Sequence, residues 1–167
     1  YPNEAILHNL SGVCYSSLGQ LDDAVRSYKL ALTINKDYAE VYNNLGMSLQ
    51  GLSQLDEAVK SYENAIAISS NYVEAHNNLG TVYNKLGKLD AAVESYEKAL
   101  SIEPNYADAY NNFGVVLKKL GRLDESIASY QKALSIDPSN ADTHNNLGNA
   151  LAELEYLEEA IRSFEAA

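Results

Sequence analysis

The feature that most constrains the fold of this chain is an internal repeat with a period of 34 residues. Asn-Asn-Leu-Gly or Asn-Asn-Phe-Gly begins at Asn43, Asn77, Asn111 and Asn145, and a weaker version, Asn-Leu-Ser-Gly, begins at Asn9. The sequence therefore divides into five copies, at 5–38, 39–72, 73–106, 107–140 and 141–167, the last of which stops at position 27. A fixed period of this length is typical of solenoids, in which each copy is one supersecondary unit that packs on its neighbours.

Each copy has the sequence pattern of two helices. In copy three, apolar residues recur at helical spacing over 75–86, and a second such series covers 89–102. Gly87 lies between the two series and is typical of a helix C-terminus, while Pro104 ends the second series. We therefore predict an all-α fold, an α-solenoid of antiparallel helix-turn-helix hairpins that forms a single domain over 1–167.

Several positions hold the same kind of residue in every copy. Position 8 is Gly12, Gly46, Gly80, Gly114 and Gly148, and position 24 is Tyr28, Tyr62, Tyr96, Tyr130 and Phe164. This pattern resembles the tetratricopeptide repeat, although position 4 is here Tyr or His rather than Trp. The resemblance covers essentially the whole chain. It implies that the hairpins stack into a right-handed superhelix, and that the first helix of each copy lines a concave surface that binds other proteins.

Both ends of the sequence fall inside the repeat. Pro2 occupies position 32 of a preceding copy, and the fifth copy stops without the polar capping helix that solenoid ends normally carry. We therefore expect this sequence to be a piece of a longer array.

The first helix of each copy carries adjacent polar residues at positions 5 and 6. Position 5 is Asn9, Asn43, Asn77, Asn111 and Asn145, and position 6 is Leu10 followed by Asn44, Asn78, Asn112 and Asn146. Asparagine is a mediocre helix former, but its amide donates and accepts hydrogen bonds as a peptide backbone requires. Helices pack roughly 10 Å apart and extended chains rise about 3.3 Å per residue, so one asparagine would meet about every third peptide residue. The row resembles the asparagine ladder in the repeat domain of O-linked N-acetylglucosamine transferases.

Other roles for these residues remain open. The asparagines could be solvated, or they could bridge neighbouring helices and hold the stack in register. Lys85 and Lys119, at position 13, are candidates to contact acidic side chains of a ligand, but favourable placement at a helix C-terminus explains them equally well. The acidic residues at position 2 form either a rim for basic ligands or part of the helix caps, as in the capping box predicted at Asn71 and Glu74.

Composition excludes several classes of function. The net charge of −11 argues against nucleic acid and anionic membrane surfaces, because phosphate groups are bound by clustered Lys and Arg. No apolar run approaches the length of a membrane span and no signal peptide is present, which favours a cytoplasmic location. The sequence has no phosphate loop, metal-ligand cluster or catalytic constellation, so we expect no catalytic residues, no metal site and no cofactor. His8, His76 and His144 all fall at position 4 and are predicted to pack between helices, and Cys14 is predicted to be buried.

These observations favour a protein-interaction module that is not an enzyme. It would hold an extended peptide segment of a protein partner in the concave groove and so act as a scaffold. One alternative is a substrate-recruiting arm of a larger enzyme of the glycosyltransferase or sulfotransferase type, which a downstream Rossmann-like pattern would indicate. Another is weak self-association through the uncapped ends.

Overall fold

The computed structural model describes residues 2–167, and in that range it contains ten α-helices and no β-strand. In chain order they are α1 (Pro2–Ser17), α2 (Leu21–Ile34), α3 (Ala39–Gly51), α4 (Leu55–Ile68), α5 (Val73–Lys85), α6 (Leu89–Ile102), α7 (Ala107–Lys119), α8 (Leu123–Ile136), α9 (Ala141–Glu153) and α10 (Leu157–Glu165). The chain forms two compact units, of which one ends at Leu86 and contains α1 to α5, and the other begins at Gly87 and contains α6 to α10. Tyr1, the first residue of the predicted domain, lies outside the described residues.

Within each unit the helices pack as successive hairpins. The two helices of a copy contact each other in the pairs α1–α2, α3–α4, α7–α8 and α9–α10. The second helix of one copy also contacts the first helix of the next, in the pairs α2–α3, α4–α5, α6–α7 and α8–α9. First helices of successive copies touch as well, in the pairs α1–α3, α3–α5 and α7–α9. The predicted all-α stack of helical hairpins is therefore confirmed.

The N-terminal residues 2–4 differ from the repeat register. The register assigns them to the connection that follows a second helix, and the equivalent residues 36–38 are indeed not helical. In the structure residues 2–4 instead extend α1, which begins at Pro2. Proline is favoured in the first turn of a helix because its missing N–H would have no intrahelical acceptor there.

The core follows the predicted apolar stripe. In α3, Val41, Leu45 and Ser48 lie at positions 3, 7 and 10 and are at most 5% exposed. The tyrosines at position 24 are also buried, each at most 2% exposed. Glycine at position 8 makes room for them: a Cβ atom at Gly46 would lie 2.7 Å from Cε1 of Tyr62, which is closer than real contacts allow. The repeated Gly and Tyr are therefore two halves of one packing contact.

The turn inside each hairpin uses a left-handed residue at position 15. In three copies this residue is a glycine with φ between 72° and 74°, as at Gly121. Two copies instead place Ser53 (φ 61°) and Glu155 (φ 62°) there. The next backbone N–H closes the turn, as when Tyr156 N donates to the Leu151 carbonyl at 3.0 Å. This is the glycine-type helix ending that the sequence predicted at Gly87.

Replacing the two non-glycine turn residues should stabilise the protein. We expect Ser53→Gly and Glu155→Gly each to raise the free energy of unfolding by about 0.5–1 kcal/mol. A residue with a side chain in the left-handed region costs roughly 1–2 kcal/mol, and glycine removes that cost. The net gain is smaller, because glycine also makes the unfolded chain more flexible and so stabilises the unfolded state. The matched control is Gly121→Ala, whose added Cβ meets nothing within 4 Å and should destabilise through the backbone alone. Urea unfolding measures all three, and a loss of stability in both glycine variants would contradict the explanation.

Two local predictions are wrong. The capping box at Asn71 and Glu74 is absent, because α5 follows Tyr72 as its N-cap residue and has no side-chain cap. The N-cap position of the first helices is 34 rather than 33. Among α2 to α10, only α9 has a side-chain cap, in which the Asn140 side chain accepts from Thr143 N at 2.8 Å. Cys14 is exposed rather than buried. Position 10 is buried in the later copies, at Ser48, Val82, Val116 and Ala150.

Candidate functional site

The asparagines of the first unit form an interhelical ladder. The side-chain amide of Asn44 on α3 donates from Nδ2 to Oδ1 of Asn9 on α1, at 3.4 Å. One copy later, Asn78 on α5 donates in the same way to Oδ1 of Asn43 on α3, at 3.1 Å. Position 6 of one copy therefore pairs with position 5 of the copy before it. The hydrogen bonds realise the alternative in which the asparagines bridge neighbouring helices.

The second unit contains the same contact. Asn146 Nδ2 on α9 donates to Asn111 Oδ1 on α7 at 3.0 Å. Asn145, at position 5 of the fifth copy, is exposed and donates to the carbonyl of Ala141 within its own helix, at 3.1 Å. Asn112 lies on α7 at position 6 and is half-buried. Recurrence of one geometry in both units shows that it follows from the repeat rather than from one local environment.

Burial distinguishes the two asparagine positions. Asn9, Asn43 and Asn77 at position 5 are only 4–6% exposed, so they face a neighbouring helix. Asn44 and Asn78 at position 6 are half-buried, and their Oδ1 atoms accept no hydrogen bond from any residue of the described chain. The ladder thus uses one N–H of the Asn44 and Asn78 amides and leaves their carbonyl oxygens accessible. Contact of either row with a peptide stays a prediction.

In the first unit the ladder is hydrogen-bonded to an acidic residue, Glu40. Asn9 Nδ2 donates to Glu40 Oε1 at 3.1 Å and lies 3.5 Å from the Tyr38 hydroxyl oxygen. Asn9 Oδ1 then accepts from Asn44. Hydrogen bonds at both ends of the Asn9 amide fix its orientation, and through it the orientation of the Asn44 amide. The carboxylate at position 2 therefore supports the ladder in the first unit.

The two predicted lysines lie at the C-terminal ends of first helices. Lys85 is exposed in the last turn of α5. It lies seven residues, or about two helical turns, after Asn78 and therefore on the same face of the helix. Lys119 is exposed in the last turn of α7. The neighbouring Lys118 forms an ion pair with Glu153 on α9, with Nζ and Oε1 2.7 Å apart. Each lysine therefore lies at the C-terminal end of a first helix within its own unit.

In each unit a cleft lies beside one position-6 asparagine, which is Asn44 in the first unit and Asn146 in the second. The cleft of the first unit is lined by Val13, Ser16, Ser17, Tyr28, Asn44 and Met47. The cleft of the second unit is lined by Val115, Lys118, Lys119, Tyr130, Asn146 and Glu153. Both are built from positions 9, 12, 13 and 24 of one copy and position 6 of the next. Sequence reasoning missed these clefts, although the change from Ser-Ser to Lys-Lys at positions 12 and 13 was visible.

The tyrosine in each cleft stays protonated well above neutral pH. Burial, with smaller contributions from the charges of Glu40 and Cys14, raises the pKa of Tyr28 to about 12. Burial also raises the pKa of Tyr130, although a hydrogen bond with Ser126 partly opposes the shift. Both clefts therefore contain a neutral phenol, which can donate or accept a hydrogen bond.

Two of the three histidines, His76 and His144, have hydrogen-bond partners on the backbone. His76 is 8% exposed, and its Nε2 lies 3.1 Å from the Ser70 carbonyl oxygen. His144 Nε2 lies 3.0 Å from the equivalent carbonyl, that of Pro138. Each ring thus joins the start of a first helix to the connection that precedes it. Between residues 2 and 167, no group of three or more His, Cys, Asp or Glu side chains is arranged to hold a metal ion. In the same range no helix is long and apolar enough to cross a membrane.

Comparisons with known proteins agree with this architecture. Among curated proteins, none matches the sequence of this chain. The structure is similar to a crystal structure of MamA, with 26% sequence identity, 93% of this chain and 91% of that chain covered, and a TM-score of 0.85. MamA from Desulfovibrio magneticus RS-1 is 23% identical over 97% of this chain and 92% of that chain, with a TM-score of 0.88, and shows the shared fold.

A third similar structure is YrrB, described as a TPR protein with an unusual peptide-binding site. It is 26% identical, with 97% of this chain and 84% of that chain covered, and its TM-score is 0.78. The sequence model of the TPR repeat matches residues 12–53, 51–87, 80–121 and 114–155, which together span most of the chain. The chain therefore belongs to the tetratricopeptide repeat family.

Proposed function

We propose that this chain is a protein-interaction module that holds an extended peptide segment of a partner against its first helices. The observation that carries the proposal is the half-buried row of position-6 amides whose Oδ1 atoms remain accessible, at Asn44 and Asn78 in the first unit. Asn146 has the same environment in the second unit. Family membership and the peptide-binding site of the similar protein YrrB support a role in binding rather than catalysis.

The ladder gives these amides a fixed orientation before any ligand binds. In Asn44 and Asn78, Nδ2 already donates to the preceding first helix, so Oδ1 is the atom left to accept a backbone N–H. An amide that is already oriented loses less conformational entropy when a ligand binds. The position-5 asparagines are therefore positioning residues, and the position-6 asparagines are the contact residues. The binding energy comes mainly from the ligand backbone, and the flanking groups set the sequence preference.

Charge favours a basic or neutral segment. The net charge of −11 attracts cationic chains over long range, most strongly at low salt. Lys85 and Lys119 provide local exceptions at the helix ends, where acidic side chains of the same ligand are accommodated. By binding one such segment, the module would act as a scaffold for its partner.

A second candidate function is self-association, which exposed apolar side chains favour. Leu7 and Leu18 on or next to α1 are 61% and 72% exposed, and Leu157 and Ile161 on α10 are 61% and 56% exposed. Contact of these faces between separate copies would bury apolar surface. Sedimentation velocity across a range of concentrations decides the matter, because a mass that stays at the monomer value excludes self-association.

The proposed function predicts unequal effects of the two asparagine rows. Peptides are first selected on the wild-type protein from a random phage-displayed library, and the affinity of one synthetic peptide is then measured by calorimetry. We expect the double variant Asn44→Ala/Asn78→Ala to weaken binding by about 10- to 30-fold, because each lost hydrogen bond costs roughly 1 kcal/mol. The matched control is Asn9→Ala/Asn43→Ala, which breaks the same two ladder bonds from the buried side.

Comparing the melting temperature and the peptide affinity of the two double variants distinguishes direct contact with the peptide from a role in folding alone. Both double variants lose the same two ladder bonds, and the control also loses the Asn9–Glu40 hydrogen bond, so its melting temperature should fall at least as far; its affinity should nevertheless fall less than about threefold. Equal losses of affinity in the two variants would mean that the ladder acts only on the fold. Failure to select any peptide on the wild-type protein would also contradict the proposal.

A further inference from the structure

The cleft of the first unit contains two hydroxyl groups, of Tyr28 and Ser16, that have no hydrogen-bond partner in the described part of the chain. It has a volume of about 200 Å³ and lies between α1, α2 and α3 beside Asn44. The Tyr28 ring is almost completely buried, but its hydroxyl oxygen, like that of Ser16, is not among the buried side-chain oxygens of residues 2–167 and has no hydrogen bond there. Hydroxyl oxygens without a protein partner are available to hydrogen-bond a ligand group. The cleft is therefore suited to a ligand group that brings hydrogen bonds with it.

The walls of the cleft are apolar. Val13 and Met47 line it from α1 and α3 and are 39% and 54% exposed. A methionine side chain adapts its shape to whatever lies against it. These walls suit an unbranched aliphatic stem, so the ligand group is one with an apolar stem and a polar end.

The electrostatic environment selects a cationic end. No charged side chain lines the cleft, but Glu40 is joined to Asn44 through the amide of Asn9, by hydrogen bonds of 3.1 Å and 3.4 Å. The charge of Glu40 also acts on the Tyr28 hydroxyl, since it contributes to the raised pKa of that group. An ammonium group has three donors and no acceptor, so it matches hydroxyl oxygens and the Asn44 carbonyl oxygen.

We propose that this cleft is a subsite for a lysine side chain of the bound segment. The inference rests on the proposed function, because Asn44 Oδ1 then accepts from the backbone of the same or an adjacent ligand residue. The aliphatic stem lies between Val13 and Met47, and the ammonium donates to the oxygens of Tyr28 and Ser16. The row of asparagine amides contacts only the ligand backbone, whereas this cleft would make the protein prefer a ligand with lysine at one position.

The corresponding cleft of the second unit has the opposite character. Val115, Tyr130 and Asn146 occupy the repeat positions of Val13, Tyr28 and Asn44, but Lys118 and Lys119 replace the two serines. Lys118 is paired with Glu153, so an ammonium group of the chain itself already lies at this cleft. A ligand lysine has no place there, and the substitution Ser16→Lys transfers that property to the first unit.

Met47 is the only methionine of the chain, so a carbon-13 methyl label on methionine reports on this cleft alone. The probe is N-acetyl-lysine-N-methylamide, and the control is N-acetyl-norleucine-N-methylamide, which keeps the stem but lacks the ammonium. We expect the lysine probe to shift the Met47 resonance saturably at millimolar concentration and to bind at least about fivefold more tightly than the control. Tyr28→Phe should weaken only the lysine probe, and Ser16→Lys should abolish its binding.

Each result decides the inference. Equal affinities for the two probes, no saturable shift of Met47 by about 20 mM, or retained lysine binding in Ser16→Lys would overturn it. Tyr28→Phe preserves the packing, because Phe164 occupies the same repeat position against Gly148. The probes contain a single residue, so they test the cleft apart from the amide row. If they fail while selected peptides still lose affinity in Asn44→Ala/Asn78→Ala, only the lysine subsite is wrong.

Discussion

Replacement of Tyr62 by alanine is expected to lower the free energy of unfolding by about 3–5 kcal/mol, the usual cost of removing a large buried aromatic ring. Tyr62 is completely buried and packs against the backbone of Gly46 on the preceding helix. Glycine at that position offers no side chain that could move into the cavity. Since whole domains are stable by only about 5–15 kcal/mol, such a loss should unfold the hairpin of α3 and α4 locally or destabilise the whole first unit.

The matched substitution Tyr62→Phe isolates the ring from its hydroxyl. The hydroxyl donates to Gln50 Oε1 at a long 3.4 Å, so its removal should cost less than about 1.5 kcal/mol. Urea unfolding followed by circular dichroism measures both variants, and hydrogen exchange locates the weakened helices. A small loss for alanine, close to that for phenylalanine, would show that the Tyr–Gly contact is not a main source of stability.

Replacement of Gly46 by alanine is expected to destabilise the protein by about 2 kcal/mol, although alanine is the better helix former. Helix propensity alone predicts a gain of about 1 kcal/mol. The added Cβ would lie 2.7 Å from Cε1 of Tyr62, and overpacking of a rigid buried ring costs roughly 1–3 kcal/mol or more. Because the ring fills its site, neither helix can yield without losing other contacts, and packing outweighs propensity.

Gly51 provides a control on the same helix. A Cβ there would meet Cδ1 of Leu21 at 2.6 Å, but that atom is the end of a flexible side chain. Gly51→Ala should therefore be neutral or stabilising by up to about 1 kcal/mol. Thermal and urea unfolding of the two alanine variants compare them directly. Equal effects of the same sign would refute the close-packing role of position 8.

The repeat period made most of the fold predictable. The spacing of apolar residues located both helices of each hairpin. Glycine recurs at position 8 and an aromatic residue at position 24 because the ring packs against the glycine backbone. The turn at Gly87 was predictable for a local reason, since its left-handed φ of 72° is a property of one residue. These features depend on residues within one copy or on packing that is the same in every copy, so they can be predicted from a single sequence.

Contacts between side chains of different copies were less predictable. Positions 5 and 6 are adjacent on a helix and both polar, so composition does not show that Asn43 is buried while Asn44 remains half-exposed. Their pairing depends on how far one first helix is displaced along the next, which is a tertiary quantity. The capping box failed for a similar reason: α5 starts one residue later than the pattern at Asn71 requires. Exposure of Cys14 depended on its neighbours rather than on its residue type.

The central claim is that Oδ1 of the position-6 asparagines accepts hydrogen bonds from a ligand backbone. The most direct measurement is the affinity of a selected peptide whose backbone amides are N-methylated one at a time, on the wild-type protein and on Asn44→Ala. We predict large losses at amides spaced about three residues apart, and that one of these losses disappears in Asn44→Ala because the two changes remove the same bond. An undiminished loss at every amide in Asn44→Ala would contradict the claim.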